Sequence, residues 1–169
     1  KESYDGVVPA KRALIRSLNV PFVLLLQQHG LEKFHFELKQ LGISTLQKPP
    51  AHYGLSLILG GAEANLLDVV NVYAGMARRL GAYYDRDGRY DASDFRAPVF
   101  CPSGDKKNER LQTSTSGLGA AAIWFAFEAM QQVERPSSAG EWETFQANRR
   151  IAWKTGTSFG FRDAWAAGV

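Results

Sequence analysis

The strongest β-strand pattern in this chain of 169 residues lies at its C-terminal end. The stretch RRIAWKTGTSF, residues 149–159, is rich in β-branched and aromatic residues, and DAWAAGV, residues 163–169, begins a second strand after a turn at GFR. Most of the preceding chain has helical patterns. Because a stable sheet needs roughly three or more strands, we expect the partner strands of this sheet to lie in sequence outside this chain.

Three helices separated by short turns are predicted between Pro9 and Gly42. The first is PAKRALIRS; the second, PFVLLLQQHG, has Pro21 at its first position and Gly30 as its C-terminal cap; the third, LEKFHFELKQLG, ends at Gly42. Proline disfavours helical geometry in the residue that precedes it. The segment Ser17-Leu18-Asn19 is therefore predicted to lie in a junction between helices.

Two longer helices are predicted further along the chain. One is capped by Asn65, with Asp68 in its first turn, and ends at Gly81. The other, LGAAAIWFAFEAM, is apolar nearly all round, which suits a helix central to a core. Between them, YYDRDGRYD favours a hairpin around Asp87-Gly88, and we expect residues 82–116 to form a surface insertion or loop. The predicted fold class is α/β (α+β), an antiparallel sheet flanked by helices.

Composition and charge narrow the classes of function. The net charge of +3 is small and the basic residues form no stripe, so no nucleic-acid partner is expected. Cys101 is the single cysteine, so no internal disulfide can form.

No apolar run approaches the ~20 residues that span a membrane, and the opening KESYDGVVPAKR lacks a signal-peptide core. We therefore expect a piece cut from a longer protein. The three histidines lack metal-ligand spacing, so no metal site is expected.

The run Lys154-Thr155-Gly156-Thr157 is the first candidate site. In a strand, Lys154 and Gly156 share one face, and the two threonines share the other. A glycine lets another backbone lie close along the strand, which suits a peptide-like ligand that pairs with the main chain. The hydroxyls and Lys154 can bind its carboxylate. The alternative is an edge-strand lysine that blocks aggregation.

The pair Ser17 and Asn19 is the second candidate site. At an extended junction, residues two apart can point to the same side. A serine hydroxyl and an asparagine amide could then act together, one in a proton relay and the other on a substrate amide. The alternative is a helix cap, because serine and asparagine are preferred residues at helix N-termini.

Longer stretches carry a resemblance to a known family. ALIRSLNVPFVLLLQQHG, YGLSLILGGAEANLLDVVNVYAGMA and IAWKTGTSFGFRDAWAAGV resemble the transpeptidase domain of bifunctional (class A) penicillin-binding proteins, in the family's order and over nearly the whole chain. The last stretch is most similar to the penicillin-binding protein 1C branch. Ser-X-Asn and Lys-Thr-Gly belong to the motif set of these proteins. The resemblance implies a partial penicillin-binding/transpeptidase fold, with residues 1–169 as the later part of one domain whose N-terminal part lies outside this chain.

The resemblance implies three catalytic residues. Ser17 would help proton transfer, Asn19 would hold the amide of the substrate, and Lys154 would supply positive potential. Leu18 stands where class A β-lactamases have aspartate, which favours a penicillin-binding protein.

Substrate binding is implied for the residues that follow Lys154. Thr155 and Thr157 would bind the terminal carboxylate of D-Ala-D-Ala or of a β-lactam, and the backbone N–H of Thr157 would form half of an oxyanion hole. The full set implied for binding is Thr155, Gly156, Thr157 and Ser158.

The implied reaction is acyl transfer through a serine acyl-enzyme. The partners would be a peptidoglycan stem peptide or lipid-linked precursor and β-lactam antibiotics, and no cofactor is implied. The parent protein would be membrane-anchored at the periplasmic, extracytoplasmic face of the bacterial inner membrane, and would also carry a glycosyltransferase.

One motif of the family is missing. Its nucleophile comes from a Ser-X-X-Lys motif that precedes Ser-X-Asn, and nothing before Ser17 supplies it. The literal match Ser103-Gly104-Asp105-Lys106 lies in a charged loop, without the buried helix start that lowers the pKa of the lysine. We therefore expect this chain alone not to be acylated. Two alternatives stay open: a non-catalytic module that binds peptidoglycan or a partner on the same fold, and a carboxypeptidase or β-lactamase relative.

Overall fold

A computed structural model describes residues 6–97, 111–112, 117–133, 150–158, 160 and 162–169 of the chain. Helices and short antiparallel sheets share these residues. The helices are α1 (Ala10–Ile15), α2 (Asn19–His29), α3 (Leu31–Gln40), α4 (Pro50–Tyr53), α5 (Leu66–Ala82) and α6 (Ala120–Met130), with 3₁₀ helices at Gly54–Leu59 and Ala92–Phe95. The strands are β1 (Tyr90–Asp91), β2 (Leu111–Gln112), β3 (Trp153–Thr157) and β4 (Ala164–Gly168).

The sheets are two antiparallel pairs, β1 with β2 and β3 with β4. This mixture of helices with antiparallel strands confirms the predicted fold class. No helix among the described residues is long and apolar enough to cross a membrane.

The start of α2 differs from the prediction. The helix begins at Asn19 rather than at Pro21, so Val20 is helical and the junction between α1 and α2 is shorter than expected. Pro21 is tolerated because the first residues of a helix have no intrahelical partner for their N–H groups. At the other end, Gly30 caps α2 as predicted, with φ of 100°.

The N-terminus of α5 follows its sequence signals. The Asn65 side chain accepts a hydrogen bond from the Asp68 N–H at 2.7 Å, as the capping pattern predicts. The Asp68 carboxylate in turn accepts hydrogen bonds from the N–H and the hydroxyl of Ser44, both at 2.7 Å, and these bonds lower the pKa of Asp68. The helix continues through Gly81 to Ala82, one residue past the predicted stop.

Helix α6 lies in the larger core cluster, as its apolar sequence predicts. Ile123, Phe127 and Met130 are buried together with Ala152, the residue before β3. Partly buried residues that pack against this cluster come from α1, α5 and the segment before α6: Leu14, Tyr73, Met76, Leu80 and Leu118. The opposite side of α6 is exposed, with 51% of Trp124 and 63% of Phe125 accessible. A second cluster, of Leu46, Tyr53 and Leu57, joins α3 and α4 to the first 3₁₀ helix.

A buried ionic network joins α5 to the chain that follows it. Arg79, only 6% exposed, donates to the Asp94 carboxylate at 3.0 Å and to the backbone oxygens of Asp91 and Leu118. Arg86 donates to the other Asp94 oxygen at 2.9 Å. Because Asp94 is 2% exposed, its charge depends on these guanidinium groups for stabilisation.

The predicted hairpin around Asp87-Gly88 is wrong. Both residues have positive φ and make a turn, but the residues before it continue as turns from the end of α5. Strand β1 pairs instead with β2, with Tyr90 opposite Gln112 and Asp91 opposite Leu111. The predicted loop over residues 82–116 therefore contains packed structure at residues 90–96, while Cys101 and the Ser103–Lys106 match lie outside the described residues.

Replacing Asp94 tests the buried network. We expect Asp94→Asn to lower the free energy of unfolding by about 3 kcal/mol, because Arg79 and Arg86 then lose a buried anionic partner. Chemical denaturation monitored by circular dichroism measures this loss. The matched control is Asp87→Asn, at an 88% exposed carboxylate with a 3.6 Å ion pair to Arg89, where we expect a change within about 0.5 kcal/mol. Equal effects of the two substitutions would contradict the role of the network.

Candidate functional site

Ser17 occupies an unusual position at the end of α1. The Leu18 N–H donates to Ala13 O at 3.0 Å and the Ser17 N–H donates to Leu14 O at 3.2 Å, which are the two hydrogen bonds of a Schellman motif. This motif places the residue after the C-cap in the left-handed region, and Ser17 has φ of 53°. Glycine usually fills the position because it has no Cβ to strain the backbone.

The Ser17 hydroxyl does not cap a helix. The N-cap of α2 is Leu18, and no side chain makes a capping hydrogen bond there. The hydroxyl accepts a hydrogen bond from Lys154 Nζ at 2.5 Å instead, across 137 residues of sequence. The helix-cap alternative for Ser17 is therefore not what the structure contains. Backbone strain of this kind is common where a side chain has a functional task.

Lys154 lies half-buried in β3 and has two partners. Its ammonium donates to Ser17 Oγ and, at 2.7 Å, to the backbone oxygen of Thr155. Burial lowers the pKa of Lys154 because a charged amine is less stable away from water. A lysine with a lowered pKa beside a hydroxyl can pass a proton to or from that hydroxyl, and in its charged form it attracts a carboxylate.

The register of β3 and β4 decides which backbone groups of β3 are accessible. Ala152 and Val169 exchange both backbone hydrogen bonds at 2.9 Å, and the Ser158 N–H donates to Asp163 O at 2.9 Å. Bonded and non-bonded pairs alternate in antiparallel strands. Lys154 and Gly156 therefore bond to β4, and the N–H groups of Thr155 and Thr157 point to the opposite edge of β3.

No described strand pairs with that second edge of β3. Thr155, Gly156 and Thr157 are all exposed, and a Cβ added to Gly156 would meet no atom within 4 Å. The edge therefore has room for an extended backbone that pairs with it. The Thr155 oxygen, which lies on this edge, is the acceptor that Lys154 occupies, so a paired ligand would compete with the lysine for it.

Asn19 lies near Ser17 in sequence but is not joined to Lys154. It is the first residue of α2 and is exposed, and its amide makes no hydrogen bond with the part of the chain that the structure describes. Asn19 thus lies in the helix rather than in an extended junction, and its predicted alignment with Ser17 along an extended segment is wrong. Its exposed amide is accessible to a ligand.

Ser158, which the sequence places with the binding residues, has a partner within the hairpin. Its hydroxyl accepts a hydrogen bond from the Asp163 N–H at 2.8 Å and lies 3.3 Å from Asp163 Oδ2. Sequence reasoning missed this pair because the strand pattern does not reveal which residues close the turn. Among the described residues no group of three or more acidic, histidine or cysteine side chains could hold a metal ion.

Comparisons with known proteins show which proteins the chain is similar to. No family model matches the sequence. Penicillin-binding protein 1C of Escherichia coli strain K12 is 34% identical over 166 residues, which cover 98% of this chain and 19% of that protein. The chain is homologous to the penicillin-binding proteins.

Two further penicillin-binding proteins match over a similar length. Penicillin-binding protein 1B of Vibrio cholerae is 26% identical over 98% of the chain, and penicillin-binding protein 1A of Neisseria meningitidis serogroup B is 25% identical over 98%. The identity to the 1C protein exceeds both values, which agrees with the predicted resemblance to that branch. The chain spans about a fifth of the length of these penicillin-binding proteins.

Two substitutions at Ser17 distinguish the effect of backbone strain on stability from the effect of losing the hydroxyl. Ser17→Gly and Ser17→Ala both remove the hydrogen bond to Lys154, but only glycine relieves the left-handed backbone. We expect Ser17→Gly to be more stable than Ser17→Ala by about 1 kcal/mol, measured by chemical denaturation. If the alanine variant were equally stable, the backbone at residue 17 would not be strained.

The titration of Lys154 tests the electrostatics of the site. We expect its amine to titrate below the usual 10.5, because burial disfavours the charge. Since the unfolded chain binds this proton more tightly, the associated loss of stability is present at neutral pH and is relieved as the pH rises from the folded pKa towards 10.5. NMR of ¹⁵N-labelled lysine measures the pKa, with Lys154→Arg to assign the signal. Ser17→Ala should lower the pKa further, and a pKa at or above 10.5 would contradict the burial argument.

Proposed function

We propose that this chain is the later part of a peptidoglycan D,D-transpeptidase domain. The observation that carries the proposal is the hydrogen bond between Lys154 Nζ and Ser17 Oγ, 2.5 Å long, beside an open strand edge. It joins the two motifs that the sequence singles out. The homology to penicillin-binding proteins supports the same reading.

Proton transfer is the task that fits Ser17 and Lys154. The reaction would be acyl transfer, in which a serine attacks D-Ala-D-Ala, D-Ala leaves, and an amine or water takes the acyl group. The leaving amine needs a proton, and the hydroxyl of Ser17, backed by the Lys154 amine, can deliver it. The exposed amide of Asn19 would hold the amide of the stem peptide.

The free edge of β3 would bind the stem peptide as an added strand. An extended peptide paired there places its backbone against the N–H groups of Thr155 and Thr157. The hydroxyls of these threonines and the Lys154 charge would bind the terminal carboxylate. The Thr157 N–H would supply half of the oxyanion hole, where charge develops in the transition state. A β-lactam would occupy the same edge, because it carries a similar amide and carboxylate.

The larger protein would supply what this chain lacks. The residues before Ser17 contain no Ser-X-X-Lys motif, so the nucleophile would come from sequence outside this chain. The proposed parent is anchored in the bacterial inner membrane, with this domain on the periplasmic side and a glycosyltransferase in the same protein. Its substrate would be a stem peptide on peptidoglycan or on a lipid-linked precursor.

The absence of a Ser-X-X-Lys motif before Ser17 favours one alternative. A protein without that motif anywhere would be a non-catalytic module, which keeps the β3 edge for binding peptidoglycan or a partner. A carboxypeptidase or β-lactamase on the same fold would differ in passing the acyl group to water. Product analysis with an added amine acceptor distinguishes these enzymes from a transpeptidase.

Covalent labelling by a fluorescent penicillin tests the proposal. We expect the longer protein that contains this chain and its upstream sequence to be labelled, and this chain alone to remain unlabelled. In the longer protein, Lys154→Ala should slow acylation by about a hundredfold, because the charge and proton donor at the reacting centre are lost. The initial rate of labelling, followed on a gel, is the measurement.

The matched control is Lys39→Ala, which removes one positive charge from the exposed last turn of α3. We expect it to acylate at the wild-type rate. A Lys154→Ala variant that acylates as fast as Lys39→Ala would contradict the role of Lys154. Stoichiometric labelling of the short chain would show that the nucleophile lies within it.

A further inference from the structure

The closed end of the β3–β4 hairpin is fastened by one pair of residues. Ser158 and Asp163 are joined by the bond from the Ser158 N–H to Asp163 O at 2.9 Å, by the bond from the Asp163 N–H to Ser158 Oγ at 2.8 Å, and by the contact of Ser158 Oγ with Asp163 Oδ2 at 3.3 Å. We call these three contacts the Ser158–Asp163 clamp. The serine hydroxyl takes part in two of them, as acceptor and as donor.

The clamp lies directly beside the backbone group that the proposed reaction uses. Ser158 follows Thr157, whose N–H faces the free edge only while the present register holds. A slip of one residue would turn that N–H towards β4 and exchange the faces of Lys154 and Thr155. The hairpin is short, with five residue pairs between Trp153 and Thr157 and their partners, so each end contributes much of the register.

In the part of the chain that the structure describes, neither core cluster includes a residue at this end of the hairpin. The other end is held by Ala152, which is 2% exposed and belongs to the core cluster of α6. Towards Thr157 the strand becomes exposed, and Thr157 itself packs against no core cluster. The direction of the Thr157 N–H therefore depends on hydrogen bonds at the turn rather than on apolar packing.

We propose that Asp163 is a positioning residue, which acts through Ser158 to hold the Thr157 N–H towards the substrate. This inference rests on the proposed function, because it assigns the purpose of the clamp to the transpeptidase site. It also assigns the Ser158 hydroxyl a role in holding the hairpin, in place of the role in substrate binding that the sequence predicted. Ser158→Ala removes both contacts of the hydroxyl, whereas Asp163→Ala removes only the contact with Oδ2. Removing the Asp163 side chain should therefore add nothing once the Ser158 hydroxyl is gone.

The first experiment is a double-mutant cycle in the longer protein that contains this chain. Ser158→Ala, Asp163→Ala and the double variant are acylated with a fluorescent penicillin, and stopped-flow kinetics separates the binding constant from the acylation rate. We expect each variant to acylate about tenfold more slowly with little change in binding, since a small misplacement of a reacting group has large effects on rate. The double variant should be no slower than Ser158→Ala, because the Asp163 side chain acts only through the serine hydroxyl. Asp163→Asn, whose amide oxygen still accepts the serine hydroxyl, should acylate within about twofold of wild type.

The matched control is a second serine–aspartate pair, which does not belong to the candidate site. Ser44 donates its N–H and its hydroxyl to Asp68, both at 2.7 Å, and Ser44→Ala removes a comparable hydrogen bond. We expect this variant to lose similar stability in thermal melts while its acylation rate stays at the wild-type value. A slow acylation in Ser44→Ala would mean that general loosening, and not the clamp, explains the rates.

Hydrogen exchange measured by mass spectrometry gives a second readout that needs no reaction. Asp163→Ala should speed the exchange of the β3 amides bonded to β4, those of Lys154 and Gly156, and Asp163→Asn should restore it. Unchanged exchange in Asp163→Ala, or acylation within twofold of wild type, would overturn the proposal. If only Ser158→Ala were slow, the Asp163 side chain would have no part in positioning the Thr157 N–H, which also overturns the proposal. If the wild-type protein were not labelled by penicillin, the proposed function would be contradicted. Hydrogen exchange would then still show whether the Asp163 side chain stabilises the hairpin.

Discussion

The packing of α6 holds the two halves of the candidate site together. Leu14, in the last turn of α1 before Ser17, and Ala152, two residues before Lys154, both contact the cluster formed by Ile123 and Phe127. Burying each large apolar side chain stabilises the fold by roughly 1.5–3 kcal/mol. The exposed ion pair between Lys11 and Glu128, which also joins α1 to α6, contributes about 0–1 kcal/mol. The position of Ser17 relative to Lys154 therefore depends on apolar packing far more than on surface charge.

Whereas this packing stabilises the fold, two features of the candidate site destabilise it locally. Ser17 holds a left-handed backbone that glycine would adopt with less strain, and Lys154 keeps its amine in a place where burial lowers its pKa. The left-handed backbone of a residue other than glycine costs about 1–2 kcal/mol. Burial destabilises the charged form of the Lys154 amine. Together they place a hydroxyl and an amine in contact beside an open strand edge. Local sequence preferences are commonly violated in this way at functional sites, where the surrounding structure offsets the strain.

The alternative role of Lys154 as an edge-protecting residue also has a physical basis in the structure. Its bond to Thr155 O fills one acceptor on the free edge of β3, and an unpaired edge is a template for aggregation. The same contact is reversible on ligand binding, because a peptide can replace the lysine at that acceptor. What distinguishes Lys154 from an ordinary edge lysine is its second bond, to a serine that the chain holds in a strained turn.

Sequence patterns predicted the local elements well. The Asn65 cap of α5, the Gly30 end of α2 and the two C-terminal strands all appear as expected, because each depends on residues close in sequence. The resemblance of the Lys154 and Ser17 stretches to one family is matched by the homology to penicillin-binding proteins. The roles of the individual site residues stay predictions.

Contacts between residues far apart in sequence could not be predicted, because they depend on how the helices and strands pack together. A helix pattern gives no sign that Arg79 will find Asp94 or that the hairpin around Asp87 will give way to pairing between β1 and β2, since these depend on which surfaces fold together. Ser17 occupies the position that glycine usually fills in a Schellman motif, but its sequence context does not reveal the left-handed backbone. The sequence by itself determined the longer helices, the two C-terminal strands and the kinds of chemical group at the two motifs. Only the tertiary structure decided that the Ser17 hydroxyl meets the Lys154 amine, because that contact requires α1 and β3 to pack on the same helix.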